Sequence, residues 1–219
     1  MNEAGAPYPV RFAVRYPENL SRILNFPLGI GTLIKAILAI PSIIIWYVIF
    51  IVALILNFIA LFAILFTGHY PQGFFNLMVG AFRMQGRVYA YLLSLTDEYP
   101  GFSPSAGPND AAQFQVDYPE SLNRLLNFPI LGLYIKSILC IPQLVVLIVG
   151  LIVAYVFFFI GQFVVLFTGK FPEGMFRFMV GTLQLGMRVS AYIYSLTDRY
   201  PPITLSPDSQ HILEPGLRV

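Results

Sequence analysis

The sequence is short of charge, of histidine and of cysteine, and each shortage excludes something. Only 11% of the residues are charged, against roughly 25% in a soluble domain, too few to cover a water-facing surface. A net charge of +2 gives no general attraction to nucleic acid. The one cysteine, Cys140, excludes an intrachain disulfide and a CxxC metal knuckle. Inside the apolar run Ser137–Ile141 it reads as a small buried hydrophobe. The two histidines, His69 and His211, fall in a loop and in the tail, and neither has a twin, so a symmetric haem or metal site is not indicated. The chain has no Gly-rich phosphate loop, no GxSxG and no His pair at metal-ligand spacing. Neither catalytic residues nor a cofactor are expected.

What the sequence has in quantity is apolar surface. Apolar residues make up 57% of it, with 20 Phe and 13 Tyr, a composition suited to lipid tails and headgroups. From Pro41 to Phe66, and again from Pro142 to Phe167, the chain runs without a charged residue. A bilayer core of about 30 Å needs roughly 20 helical residues, so either run is long enough to cross. No spanning run carries Asp or Glu, which argues against a proton relay. Met1 to Tyr16 is polar and proline-bearing, unlike a secretory signal, and the first apolar helix is expected to act as its own insertion signal.

Self-comparison shows two copies of one unit. Tyr16-Pro17-Glu18-Asn19-Leu20 returns as Tyr118-Pro119-Glu120-Ser121-Leu122, and Asn25-Phe26-Pro27 as Asn127-Phe128-Pro129. After a one-residue deletion in the second copy, Lys35 aligns with Lys136, Pro41 with Pro142, Phe66-Thr67-Gly68 with Phe167-Thr168-Gly169, and Met78-Val79-Gly80 with Met179-Val180-Gly181. Both copies close on Ser-Leu-Thr-Asp, at Ser94–Asp97 and Ser195–Asp198, followed by Tyr-Pro. About half the aligned positions are identical, well beyond chance. The units are read as 8–100 and 111–201, with a Gly/Pro/Ser-rich linker at 101–110 and a polar tail at 202–219.

Each unit opens with alternating residues, Val10, Phe12 and Val14 in one and Phe114 and Val116 in the other, which predicts a strand ended by Tyr-Pro. A small extramembrane β-ribbon pairing the copies would follow. Asn19 to Phe26 has Leu20, Ile23 and Leu24 on one helical face; with Leu28 to Ile40 it is read as interfacial helix, Arg22, Lys35, Arg124 and Lys136 reaching headgroup phosphates. The long apolar helix then turns at a Gly/Pro-rich reversal into a last helix, 74–95 or 175–196. That helix carries Arg87 or Arg188, so it either spans or lies flat at the surface. Copies this similar should insert in the same orientation, which favours two crossings per unit and four transmembrane helices in all. The fold class is thus an all-α membrane protein of two pseudo-symmetric units, each an interfacial helix plus two long helices. Lys and Arg counts at the helix ends then put both termini in the cytoplasm of a multi-pass cell-membrane protein.

Arg87 and Arg188 occupy matching positions. They are candidate inward cations for an anionic group or a partner's carboxylate, or arginines snorkelling to the interface. Asn57 and Gln162, at unmatched positions in the apolar helices, read as helix-packing amides. Asp97 and Asp198 read as turn or capping residues.

The motif string YPE-x-L-x-R, NFP, K-x-I-L-x-IP, LFTG, P-x-G, MVG, RV-x-AY and SLTD-x-YP resembles a family of prokaryotic membrane proteins catalogued only as a domain of unknown function and often found in tandem. The resemblance covers Tyr8 to Pro201. It implies a helical membrane domain and supplies no functional residues. The leading expectation is a structural or accessory subunit that contacts membrane lipids and other integral membrane proteins, and no nucleic acid. The alternative is a small transporter, channel or lipid-binding protein using the cleft between the repeats. A third reading, a subunit whose aromatic side chains line a pigment or quinone, is weaker.

Overall fold

Glycine and proline punctuation sets the element boundaries. The computed structural model describes residues 7–107 and 109–205; His211 and most of the expected tail lie outside them. The described residues form β1 (Val10–Val14), α1 (Ile30–Thr67), α2 (Gln72–Leu92), β2 (Ala112–Val116), α3 (Leu131–Leu139), α4 (Ile141–Thr168) and α5 (Glu173–Ile193). The chain is mostly helical, with two tandem units, and two of its five helices, α1 and α4, are long and apolar enough to cross a membrane. Gly68 and Gly169, both left-handed, end these two helices and accept the reversal into α2 and α5.

Of the two expected interfacial pieces, the first is not helical in either unit, and the second is a separate helix only in the second unit, as α3. Residues 22–25 and 27–29 form turns, because Pro27 fixes its own φ and Leu28 and Gly29 both take positive φ. The turns fold back tightly: a Cβ at Gly31 would sit 2.6 Å from the Leu24 carbonyl oxygen, so only glycine fits. Leu28 to Ile40 is not a separate helix in the first unit either. There α1 runs through Pro41 for 38 residues, about 57 Å at 1.5 Å per residue. In the second unit the helix breaks at Cys140, and Pro142 falls in the first turn of α4, where a missing N–H costs nothing.

The strands form an antiparallel ribbon in which Phe12 faces Phe114, its own counterpart in the repeat. The ribbon packs across the units, β1 on α5 and β2 on α2. The segment after each strand then docks on the other unit's helical turn. Leu20 N–H donates to the Gly169 carbonyl and Leu122 N–H to that of Gly68, both at 2.8 Å. Tyr16 Oη donates to the Phe171 carbonyl, and Tyr118 Oη to that of Tyr70. Gln162 of α4, near its end, donates to Thr32 at the start of α1.

These reciprocal contacts require a pseudo-two-fold axis through the Phe12–Phe114 pair, perpendicular to the ribbon and to the helices. A Cβ on Gly86 of α2 would meet Phe12 and, at 3.5 Å, Met187 of α5; Gly86 and Met187 are counterparts, so the same axis passes between them. α1 and α4 therefore run antiparallel, as do α2 and α5. This corrects the expectation that both units point the same way along their helices. It also removes the basis for counting Lys and Arg by end, since each unit's opening segment lies beside the other unit's reversal.

Among the helices α2 and α5 are the most enclosed, covered by the ribbon and by α1 and α4 in turn. Phe12, Phe82 and Phe114 meet in that core. α1 and α4, by contrast, present apolar side chains to the outside along their length, from Leu33 to Phe66 and from Val145 to Phe167.

Candidate functional site

The duplicated polar residues gather into two matched clusters, one at each end of the molecule. Lys35 is fully buried. Its ammonium donates to Asn25 Oδ1 at 2.9 Å and to the Thr96 carbonyl at 3.0 Å, and it pairs with Asp97 at 2.8 Å. Tyr91 places its ring 5.0 Å from the Nζ. Asn25 Nδ2 and the Ser21 N–H both donate to the same carboxylate. The second unit repeats the design: Lys136 reaches Asn127 at 2.6 Å, Asp198 at 3.3 Å and the Tyr192 ring at 5.0 Å. Ser195 Oγ adds a partner at 3.2 Å.

Local backbone makes this possible. Ser94 and Ser195 take positive φ, and Leu95 N–H bonds back to the Ala90 carbonyl, a left-handed stop that swings the following Asp toward the lysine. Each cluster ties the opening segment to the start of one helix and the end of another. Lys35 and Lys136 are accordingly not headgroup contacts: a buried ammonium is stable only when paired, and the pairing holds both inside. Burial pushes the Lys136 ammonium down to about 8, with Asp198 pulling the other way. Every lysine proton is directed at an acceptor or a ring. Arg22 and Arg124, by contrast, are exposed.

Arg87 and Arg188 are inward-facing and buried, and each engages the segment that follows its own helix. Arg87 donates to the Ser103 carbonyl and pairs with Asp110 at 3.2 Å. Arg188 donates to Thr204 Oγ1 at 3.1 Å and lies 5.2 Å from the Tyr8 ring. Ser103 and Thr204 are the same distance beyond their arginines, so the role is shared. Arg83 adds bonds to the carbonyls of Pro104 and Phe114. The linker is thereby fastened to α2 and is not a free spacer, and Thr204 makes residues just past 201 part of the second unit.

The two amides diverge. Gln162 does bridge helices, α4 to α1, at 2.8 Å from Thr32 Oγ1. Asn57 instead accepts from Tyr70 Oη at 2.7 Å and so fixes the reversal of its own unit; the second unit fills the matching place with Phe158 and Phe171. Cys140 is buried, and burial pushes its thiol up to about 11, which leaves it a small apolar body. Among the described residues, no group of three or more His, Cys, Asp or Glu side chains is placed to hold a metal ion.

Asp97 and Asp198 as ion-pair partners, with Asn25 and Asn127, were the residues sequence reasoning missed. The signal was available: Lys, Asn and Asp all recur at matched positions, and a repeated charge inside an apolar unit asks for a repeated counter-charge.

The model of one family, described as a domain of unknown function (DUF4389), matches the chain twice, at residues 30–103 and 131–204. The chain belongs to the DUF4389 family. Each match begins at or next to the first residue of α1 or α3 and ends at or just before the residue its arginine holds, Ser103 or Thr204. One DUF4389 module therefore comprises the buried Lys–Asp pair and the arginine clasp, while both strands and the Asn25 and Asn127 turns lie outside it. No curated protein and no solved structure matches the chain.

Proposed function

We propose that this DUF4389 protein is a non-catalytic accessory component of the cell membrane, seated in one leaflet with α1 and α4 along the bilayer plane and the ribbon toward water. The carrying observation is the division of its surface. Exposed side chains along α1 and α4 are apolar, while the ribbon layer carries Arg11, Arg15 and Asp117, the first and last paired in the open.

Standing the helices upright would sink that ribbon to mid-depth. Each lipid-exposed arginine there costs at least about 2.5 kcal/mol, and the outer ribbon edges would leave backbone groups without partners. With the two-fold axis along the membrane normal, both units instead sit at one depth, and Arg22 and Arg124 reach headgroups together. The anionic cytoplasmic leaflet is the natural side for them. This seating replaces four crossings, and it keeps the two similar units equivalent toward the bilayer. The buried charged groups are spent on internal ties, so beyond Arg22 and Arg124 what the protein offers the membrane is an apolar face that acts by packing against lipids and other integral membrane proteins.

The test uses three single cysteines in a Cys140→Ala background: Gly73→Cys and Gly174→Cys in the two reversals, where a side chain meets nothing, and Gln115→Cys on the ribbon. A membrane-impermeant maleimide should label all three from one side. Reversals labelled from opposite sides would mean upright inverted helices. Reversals labelled together but opposite Gln115→Cys would mean four crossings in parallel units. Native mass spectrometry from mild detergent tests the accessory role separately: retained protein subunits are expected, and a lone chain would overturn it.

A further inference from the structure

The pseudo-symmetry also fails beside the ends of α2 and α5. Tyr194, just past α5, packs its ring against Phe50 of α1 at 6.2 Å and Phe82 of α2 at 5.7 Å, filling the space between the units on that side. The counterparts of these three residues are Leu93, Leu151 and Leu183. All three line an open apolar groove of about 500 Å³ between α4, α5 and the end of α2. Three rings close one site, and three leucines leave its twin empty. The volume lies inside the ~300–1,000 Å³ range of pockets that hold small molecules.

We infer that this groove holds an acyl chain of a membrane lipid. Its lining is apolar apart from Thr182 and the Tyr155 hydroxyl, and it includes Ile148, Ile152 and Tyr155, which are exposed on α4, the helix that meets the bilayer in this seating. A void on a lipid-facing surface loses dispersion contacts along its whole lining, and the flexible chain that surrounds α4 there is a lipid tail. The closed twin shows what the site accommodates: an apolar body about as broad as a side chain, inserted from the outer edge toward the α2–α5 core. No cationic side chain lines the groove, so the chain is recognised and the headgroup is not. The inference rests on α4 lying in the membrane and not on the direction in which it lies.

The test counts lipids by native mass spectrometry after extraction into mild detergent from vesicles of palmitoyl-oleoyl phosphatidylglycerol and phosphatidylethanolamine. The unaltered chain should keep one lipid. The triple variant Leu93→Tyr, Leu151→Phe and Leu183→Phe copies the closed twin and should keep none, with Leu93→Tyr alone as the gentler filling. The reverse variant Phe50→Leu, Phe82→Leu and Tyr194→Leu opens the twin and should keep two. Helical content and melting temperature show that each variant is folded. An unaltered chain without lipid, or equal retention after filling, would overturn the groove. Retention of a free fatty acid in place of a phospholipid would overturn its membrane source. Retention combined with upright labelling of the cysteines would leave the groove standing and remove the proposed seating.

Discussion

Replacing Asp97 with alanine strands three donors at once. Lys35 Nζ, Asn25 Nδ2 and the Ser21 N–H all converge on this carboxylate, and the lysine side chain has no exposed surface, while that of Asp97 is 21% exposed. Removing one partner of a buried pair costs about 3–5 kcal/mol. Lys35 keeps Asn25 Oδ1 and the Thr96 carbonyl, so the lower end, about 3 kcal/mol, applies. At about 2–4 °C per kcal/mol for a chain of this size, the melting temperature should fall by about 6–12 °C. Lys35→Met should cost less, because Asp97 keeps its two amide donors and some solvent. The double variant Lys35→Met/Asp97→Ala should be more stable than Asp97→Ala alone, since no buried charge is left without a counter-charge. The assay is thermal unfolding in detergent, followed by helical circular dichroism for the singles and the double. A fall under about 2 °C for Asp97→Ala, against the scale of a buried pair, or strict additivity in the cycle, would refute the claim that this pair is buried and coupled.

Two further outcomes follow from the same geometry. Tyr70→Phe leaves Asn57 Oδ1 buried without its donor and should cost about 1–3 kcal/mol. Asn57→Phe combined with Tyr70→Phe, which copies Phe158 and Phe171, should recover most of that in the same melt, and no recovery would count against the assignment. Lys136 has a folded value of about 8, below the unfolded value of about 10.4. Between the two the unfolded chain binds more protons, so stability should rise with pH across that window. Lys136→Met should flatten the rise, and identical pH profiles for the two proteins would refute it.

Part of the site was legible in the sequence and part was not. The matched Lys35 and Lys136 marked where a polar group recurs, yet spacing along a helix placed them at headgroups. Their partners come from residues far along the chain, Lys35 with Asp97 and Lys136 with Asp198, and helix periodicity carries no information about pairs so distant. Arg87 and Arg188 stood as either inward cations or snorkelling arginines, and what they hold, Ser103 and Thr204, lies in segments that read as linker and tail. The Asn19–Phe26 helix was a false expectation because three apolar residues at helical spacing do not sustain a helix that Pro27 stops after about two turns.

The sequence by itself determined the apolar character, the tandem repeat, the strand pairing of its two openings and the two long helices, because each is written in composition or in short-range periodicity. Only the tertiary structure decided how the units face each other. An antiparallel ribbon pairs Phe12 with Phe114 and forces a two-fold axis perpendicular to the helices, and that relation exists only once the two strands have met. The same encounter sets Tyr194 against Phe50 and Phe82 and leaves Leu93 beside an open groove. A difference of three side chains between two related copies gains its meaning from where the fold brings them together.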